Sequence, residues 1–240
     1  MEKLSAESFF NNKIKICQPE NGYRFSIDPF ILAAHIQPTD TQHLLDVGCG
    51  CGIMPLILAY RHSEIKITGI EIQEELSFCA RQNSINHKLD KTISIINKDI
   101  KNILISDING KADIIISNPP YKKKNSGRLN PNTQKAIARH EITLDIDLLF
   151  KCSSRLIHKQ GRVYIIFPAE RISDLILAME SYKFSPVYLR FVHIKKNTGA
   201  RRVILCAAKN SNKTCTVSPP LYIYNSENKL TNEYISMFKP

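Results

Sequence analysis

The sequence has no apolar run approaching the roughly 18 residues needed to span a bilayer. Its opening stretch, MEKLSAESFFNNKIKIC, has no apolar h-region, so no secretory signal is expected. No internal repeat and no low-complexity linker interrupts the chain. Its seven cysteines form no repeated framework, and an odd, scattered set predicts reduced thiols and a cytoplasmic protein. Cys49 and Cys51 form a C-x-C, but a tetrahedral metal site needs two more ligands nearby and none is evident. No metal is therefore expected. Acid is missing from two segments. Residues 121–140, YKKKNSGRLNPNTQKAIARH, carry six Lys or Arg, and residues 195–202, KKNTGARR, carry four. Against a net charge of +11, those ten account for nearly the whole basic excess. Such concentration favours a polyanion footprint over two merely solvated loops.

What is present fits one globular domain. The chain has 240 residues, 43% of them apolar, enough to bury a sizeable core. HLLDV (43–47), IKITGIEI (65–72), ISIINKDI (93–100), ADIIIS (112–117) and RVYIIF (162–167) read as strands. Helical spacing occupies IMPLILAYRH, EELSFCARQNSINH (74–87), LDIDLLFKCSSRLI (144–157) and RISDLILAMESY (171–182). This alternation predicts βαβ units. The expected fold is α/β, a doubly wound, mostly parallel seven-stranded sheet. VYLRFVHI and RRVILCAA read as a closing hairpin that adds one antiparallel strand. Three parts of one domain are expected: an N-terminal extension (1–42), a catalytic core (43–208) and a C-terminal tail (209–240) without an assigned role. In the extension, KIKIC and YRFS are expected to pair. SIDPFILAAHI starts a helix with Asp28 as N-cap and Pro29 at the first position.

Chemistry concentrates at strand ends. DVGCGCG follows the first core strand and opens a helix, so Asp46, Gly48, Gly50 and Gly52 form a loop whose backbone N–H groups can approach a ligand. A dinucleotide fingerprint needs a glycine where Ile53 stands, which disfavours NAD or FAD. Glu71 ends the next strand, placed to accept hydrogen bonds from two ribose hydroxyls. Asp99 and Ile100 end the third. At the fourth, Asn118, Pro119, Pro120 and Tyr121 form a rigid corner. An exocyclic amine is a poor nucleophile because its lone pair is delocalised. The Asn118 side-chain oxygen and the Pro119 carbonyl can hold its two N–H bonds, and Tyr121 can stack on a flat substrate. Positioning and preorganised electrostatics then do most of the catalysis.

The D-x-G-x-G-x-G loop resembles motif I of class I S-adenosylmethionine-dependent methyltransferases. That resemblance implies S-adenosylmethionine as cofactor, held by the glycine loop, Glu71 and Ile72, with Asp99 accepting from the adenine amine and Ile100 packing on its ring. NPPY is shared by several amino-group methyltransferase families. They act on adenine N6 in DNA or RNA, guanine N2 in rRNA, or glutamine in release factors. GYRFSIDPFILAA and ARHE (138–141) resemble the bacterial tRNA (adenine-N6)-methyltransferase family that modifies valine tRNA beside the anticodon. The likeness runs from about residue 12 to about 208. It implies tRNA as substrate, with no membrane and no stable protein partner. It places Arg24, Phe25 and Asp28 over the cofactor pocket and Arg139 and His140 on RNA. Lys122, Lys123, Lys124, Arg128, Lys195, Lys196, Arg201 and Arg202 complete the expected phosphate contacts. A nucleic-acid-binding protein with a relic pocket is the competing class; intact Asp46, Glu71, Asp99 and NPPY argue against it.

Overall fold

The computed structural model describes residues 4–10, 12–19, 26–39, 42–120 and 144–239. Apolar residues of the core strands run without alternation, and the structure shows why: both faces of the sheet are covered. In chain order, the core elements are β3 (His43–Val47), α2 (Ile53–Arg61), β4 (Lys66–Glu71), α3 (Glu74–Asn86), β5 (Ile93–Asn97), β6 (Ala112–Ser117), α4 (Ile146–Leu156), β7 (Ile157–Pro168), α5 (Ile172–Ser181), β8 (Phe184–His193) and β9 (Ala200–Lys209). Ahead of them lie β1 (Leu4–Phe9), β2 (Ile14–Pro19) and α1 (Asp28–Ala33), and behind them β10 (Thr216–Val217), β11 (Leu221–Tyr222) and α6 (Asn232–Ser236).

The main sheet runs β8-β9-β7-β6-β3-β4-β5. All neighbours are parallel except β9, which is antiparallel to both β7 and β8. This is the expected doubly wound sheet with one reversed strand. The polar tail is expected to hold short tyrosine-rich strands without an assigned role; two short strands, β10 and β11, both pair parallel with the outer edge of β8. The tail is therefore part of the sheet.

Side chains two apart in a strand share a face. Leu44, Ile67, Ile114, Ile116, Ile166 and Ile204 pack against α1, α2 and the N-terminal hairpin. Leu45, Ile70, Ile115, Val163 and Leu205 pack against α4 and α5, through Leu149, Phe150, Leu175 and Met179. Among the described residues, no helix is long and apolar enough to cross a membrane.

Two N-terminal expectations are corrected. KIKIC pairs with the preceding segment, Phe9 opposite Ile14 and Leu4 opposite Pro19, and not with YRFS, of which residues 23–25 lie outside the described structure. The turn between them is made by Phe10 and Asn12, both at positive φ (51° and 65°), where asparagine is tolerated well. Asp28 is not an N-cap either. The cap position is Ile27, Asp28 stands inside the first turn, and the Asp28 N–H donates to Ser26 Oγ at 3.2 Å.

Candidate active site

Every parallel strand delivers its C-terminal end to one edge of the sheet, and the motif residues lie along that edge. Gly48, Gly50 and Gly52 have φ of 75°, 56° and 85°. Side chains other than glycine are strained there. The loop is held from two sides. The Gly48 and Cys49 N–H groups donate to the Ile70 carbonyl at 2.8 and 3.2 Å. The Gly50 N–H donates to Glu71 Oε2 at 2.8 Å, and the Gln73 N–H to Glu71 Oε1 at 2.9 Å. Glu71 therefore has a structural task that the sequence did not indicate: it braces the glycine loop against β4. Asn83, fully buried on α3, accepts from the Cys17 N–H and donates to the Cys17 and Cys51 carbonyls, which ties the loop to β2 as well.

A cleft opens between this loop and α4. Glu71 and Asp99 stand on its rim, and Val47, Ile70, Ile72, Ile100, Leu144 and Leu148 give it apolar walls. The Asp99 Oδ1 accepts the Lys101 N–H at 2.9 Å, which fixes the turn that presents Ile100. Leu144 and Leu148 were not singled out in the sequence. Their spacing of four beside the capping Asp145, whose Oδ1 accepts the Leu148 N–H at 2.7 Å, puts both on the cleft side of the helix.

Asp46 is the most unusual group. It is 0% exposed, and among the described residues neither carboxylate oxygen has a hydrogen-bond partner. Burial, and then the nearby Glu71 charge, hold its carboxyl well above the usual carboxylate range. A buried polar group without a partner is expensive, so its retention points to a ligand that supplies one.

Asn118 directly follows β6, half-buried, with Pro119 buried and Pro120 exposed. The Ser117 Oγ donates to the Val47 carbonyl at 2.8 Å. That bond fastens the end of β6 to the end of β3, so the asparagine corner and the glycine loop are held side by side. Tyr121, Lys122, Lys123, Lys124, Arg128, Arg139, His140, Arg24 and Phe25 lie outside the described residues.

Because β8 is parallel to β7 and β6, the loop after it returns to the same edge. It carries Lys195, half-buried, with Lys196 and Arg201 exposed. Lys195 Nζ donates to Asn228 Oδ1 of the tail. Arg202 behaves differently: its Nε meets Asp28 Oδ2 at 2.9 Å.

The methyltransferase small domain matches residues 27–145. A tRNA1(Val) (adenine(37)-N6)-methyltransferase of Porphyromonas gingivalis is 32% identical over 204 residues, covering 83% of this chain and 79% of the relative. The chain belongs to this family. The enzyme of the same name from Phocaeicola vulgatus is 29% identical, over 88% of this chain and 87% of its own. Among solved structures, a predicted O-methyltransferase from Agrobacterium tumefaciens superposes with a TM-score of 0.70 at 18% identity, over 88% of this chain and 94% of that one. That likeness supports the fold, a class I methyltransferase sheet.

The cofactor implied by this fold suits the residues present. A ribose and a flat purine match a slot with acceptors Glu71 and Asp99 on the rim and aliphatic walls behind. A cationic amino-acid end matches the unpartnered Asp46.

Proposed function

We propose that this protein transfers the methyl group of S-adenosylmethionine to the N6 amine of an adenosine in tRNA, at position 37 beside the anticodon of valine tRNA. The observation that carries the reading is the pairing of two sites on neighbouring strands. The glycine loop ends β3, the Asn118 corner ends β6, and Ser117 is bonded to Val47 between them. Family membership supplies the acceptor: the relatives are named for this nucleoside.

When bound, S-adenosylmethionine supplies a sulfonium methyl carbon, which becomes bonded to N6 as the C–S electron pair stays on sulfur. Glu71 and Asp99 orient the ribose and adenine ends, while Asp46 attracts the cationic end. The target adenine leaves its stack to reach the corner, which suits an exposed anticodon loop. The Asn118 oxygen and the Pro119 carbonyl accept the two N6 hydrogens. They favour a pyramidal nitrogen with its lone pair free to attack. The surplus proton leaves N6 for water once the new bond has formed. The site works in the cytoplasm, with tRNA held by the basic segments.

Nucleoside analysis tests this. Valine tRNA purified from a deletion strain should lack N6-methyladenosine, and the wild-type gene should restore it. A transcript with guanosine at position 37 should take no label from the methyl donor. Asn118→Ala should lower turnover about 100-fold or more, the usual loss for one preorganised polar contact, with cofactor affinity held within a few-fold. Label entering rRNA, DNA or a protein while tRNA stays unmodified would refute the reading. Turnover of Asn118→Ala above roughly a tenth of wild type would remove the acceptor role.

A further inference from the structure

The first turn of α1 carries a carboxylate, Asp28, that is only 3% exposed. Burying a charge is tolerated when a counter-charge and hydrogen bonds accompany it. The partner lies 174 positions further along the chain, where Arg202 Nε donates to Asp28 Oδ2 at 2.9 Å. Arg202 Nη1 also donates to the Arg201 carbonyl at 3.1 Å. Its Nε therefore meets the buried carboxylate while the side chain stays 30% exposed, whereas its neighbour Arg201 is exposed.

The pair lies toward the same sheet edge as the reacting corner, two strands over from β6. Arg202 is in register with Pro168, at the C-terminal end of β7. The next strand over is β6, which leads into Asn118. By the two-residue alternation, Arg202 shares a sheet face with Ile204, Asp46 with Leu44, and all of these lie on the side that α1 covers. The flank of α1 is gripped by rings: Phe30 stacks on Phe238 at 4.7 Å between centroids and meets Phe9 at 5.1 Å. Apolar contact is non-directional and leaves a helix able to slide or rotate slightly. A guanidinium–carboxylate bond is directional and fixes where the first turn stops.

We propose that Asp28 and Arg202 form a positioning pair that sets the first turn of α1 against the methyl-transfer corner, and that Arg202 makes no phosphate contact. The proposal rests on the methyltransferase reading above. Neither residue touches a substrate; each acts by placing the wall beside Asn118 and Asp46.

The test uses the full chain with Arg202→Gln, Asp28→Asn, the double variant, Arg202→Lys and, for comparison, Arg201→Gln. Arg202→Gln and Asp28→Asn should each lower kcat about 10-fold or more. KM for tRNA should stay within about two-fold, and its salt dependence should be unchanged. The double variant should be no worse than the poorer single, because both break one interaction. Arg202→Lys should recover part of kcat, since charge returns without the planar fork. Calorimetry with S-adenosylhomocysteine should show about three-fold or greater weakening in both singles, a readout independent of the acceptor. Should Arg202→Gln fail to fold, the double variant removes both charges of the pair and carries the same measurements. Additive losses, or a raised KM with a flattened salt slope as in Arg201→Gln, would overturn the pair. If wild type methylates no tRNA, the proposed function fails while the calorimetry still decides this point: unchanged affinity in both singles overturns it.

Discussion

At the scale of single residues, Asp46 holds a conflict that its pH behaviour exposes. Its carboxyl is raised by burial first and by Glu71 second. A raised folded-state value means that the folded protein binds this proton more tightly than the unfolded chain does. The resulting stability is fully present below the unfolded value, about 3.9, and is lost as pH rises through the folded one. Asparagine keeps the shape and cannot ionise. Asp46→Asn should therefore melt at least about 2 °C higher than wild type at pH 8 without ligand, given about 2–4 °C per kcal/mol for a chain of this size. Near pH 4 the two should melt together. On the proposed function, the same change should weaken S-adenosylhomocysteine binding, because it removes the carboxylate proposed to attract the cationic end. Equal destabilisation at both pH values, read by calorimetric scans, would mean that the carboxylate already has a partner in the ligand-free protein. Asn118 and Glu71 were legible as candidate-site residues because one follows and the other ends an apolar strand with a polar group. Asp46 was legible only as a motif letter: nothing in the letters shows an orphaned carboxylate.

At the scale of elements, the strands and helices of the core were readable because apolar runs and 3.6-residue spacing are local signals. The N-terminal hairpin was misassigned because KIKIC can pair on either side. The deciding signal was Asn12, a residue type that tolerates the positive φ of this turn. The short tail strands were expected, but their partner was not legible because two residues show no period; they are held by β8 backbone, with the Ile223 N–H donating to the His193 carbonyl at 3.0 Å. Asp28 and Arg202 are too far apart in sequence to suggest each other. The glycine loop, in contrast, was fully legible, and its glycines separate by function. A Cβ on Gly52 would stand 3.2 Å from Ala80 Cβ with φ at +85°, whereas one on Gly50 would meet nothing within 4 Å. Gly52→Ala should lose about 1–2 kcal/mol or more, from backbone strain plus displacement of α3 from the start of α2. Gly50→Ala carries the strain alone and projects into the open side of the loop. It should lose less stability and more cofactor affinity. Thermal melts and calorimetry on the two variants check this ordering, and the reverse order would mean that the ligand side of the loop is misassigned.

At the scale of the whole molecule, the topology brings the second basic segment, residues 195–202, to one edge. The reversed strand β9 returns the chain from the C-terminal end of β8, so the 195–202 loop lies on the edge that carries the glycine loop and Asn118. The tail supports it from outside, through Asn228 on Lys195 and the Tyr224 N–H on the Ile194 carbonyl at 2.9 Å. A braced cationic loop beside a reacting corner suits a polyanion that must present one base. Arg202 meets Asp28, which leaves Lys195, Lys196 and Arg201 as the proposed phosphate contacts of this segment. Each contact contributes roughly 0.7–0.9 to the slope of log affinity against log salt. Replacing all three by Gln should therefore flatten the slope for tRNA by about 2 units and weaken binding most at low salt. Cofactor affinity should not change, because β9, β7 and β6 separate this loop from β3. A filter-binding titration between low and moderate salt reads the slope directly. An unchanged slope would show that these cations are only solvated and that the tRNA is held elsewhere on the edge.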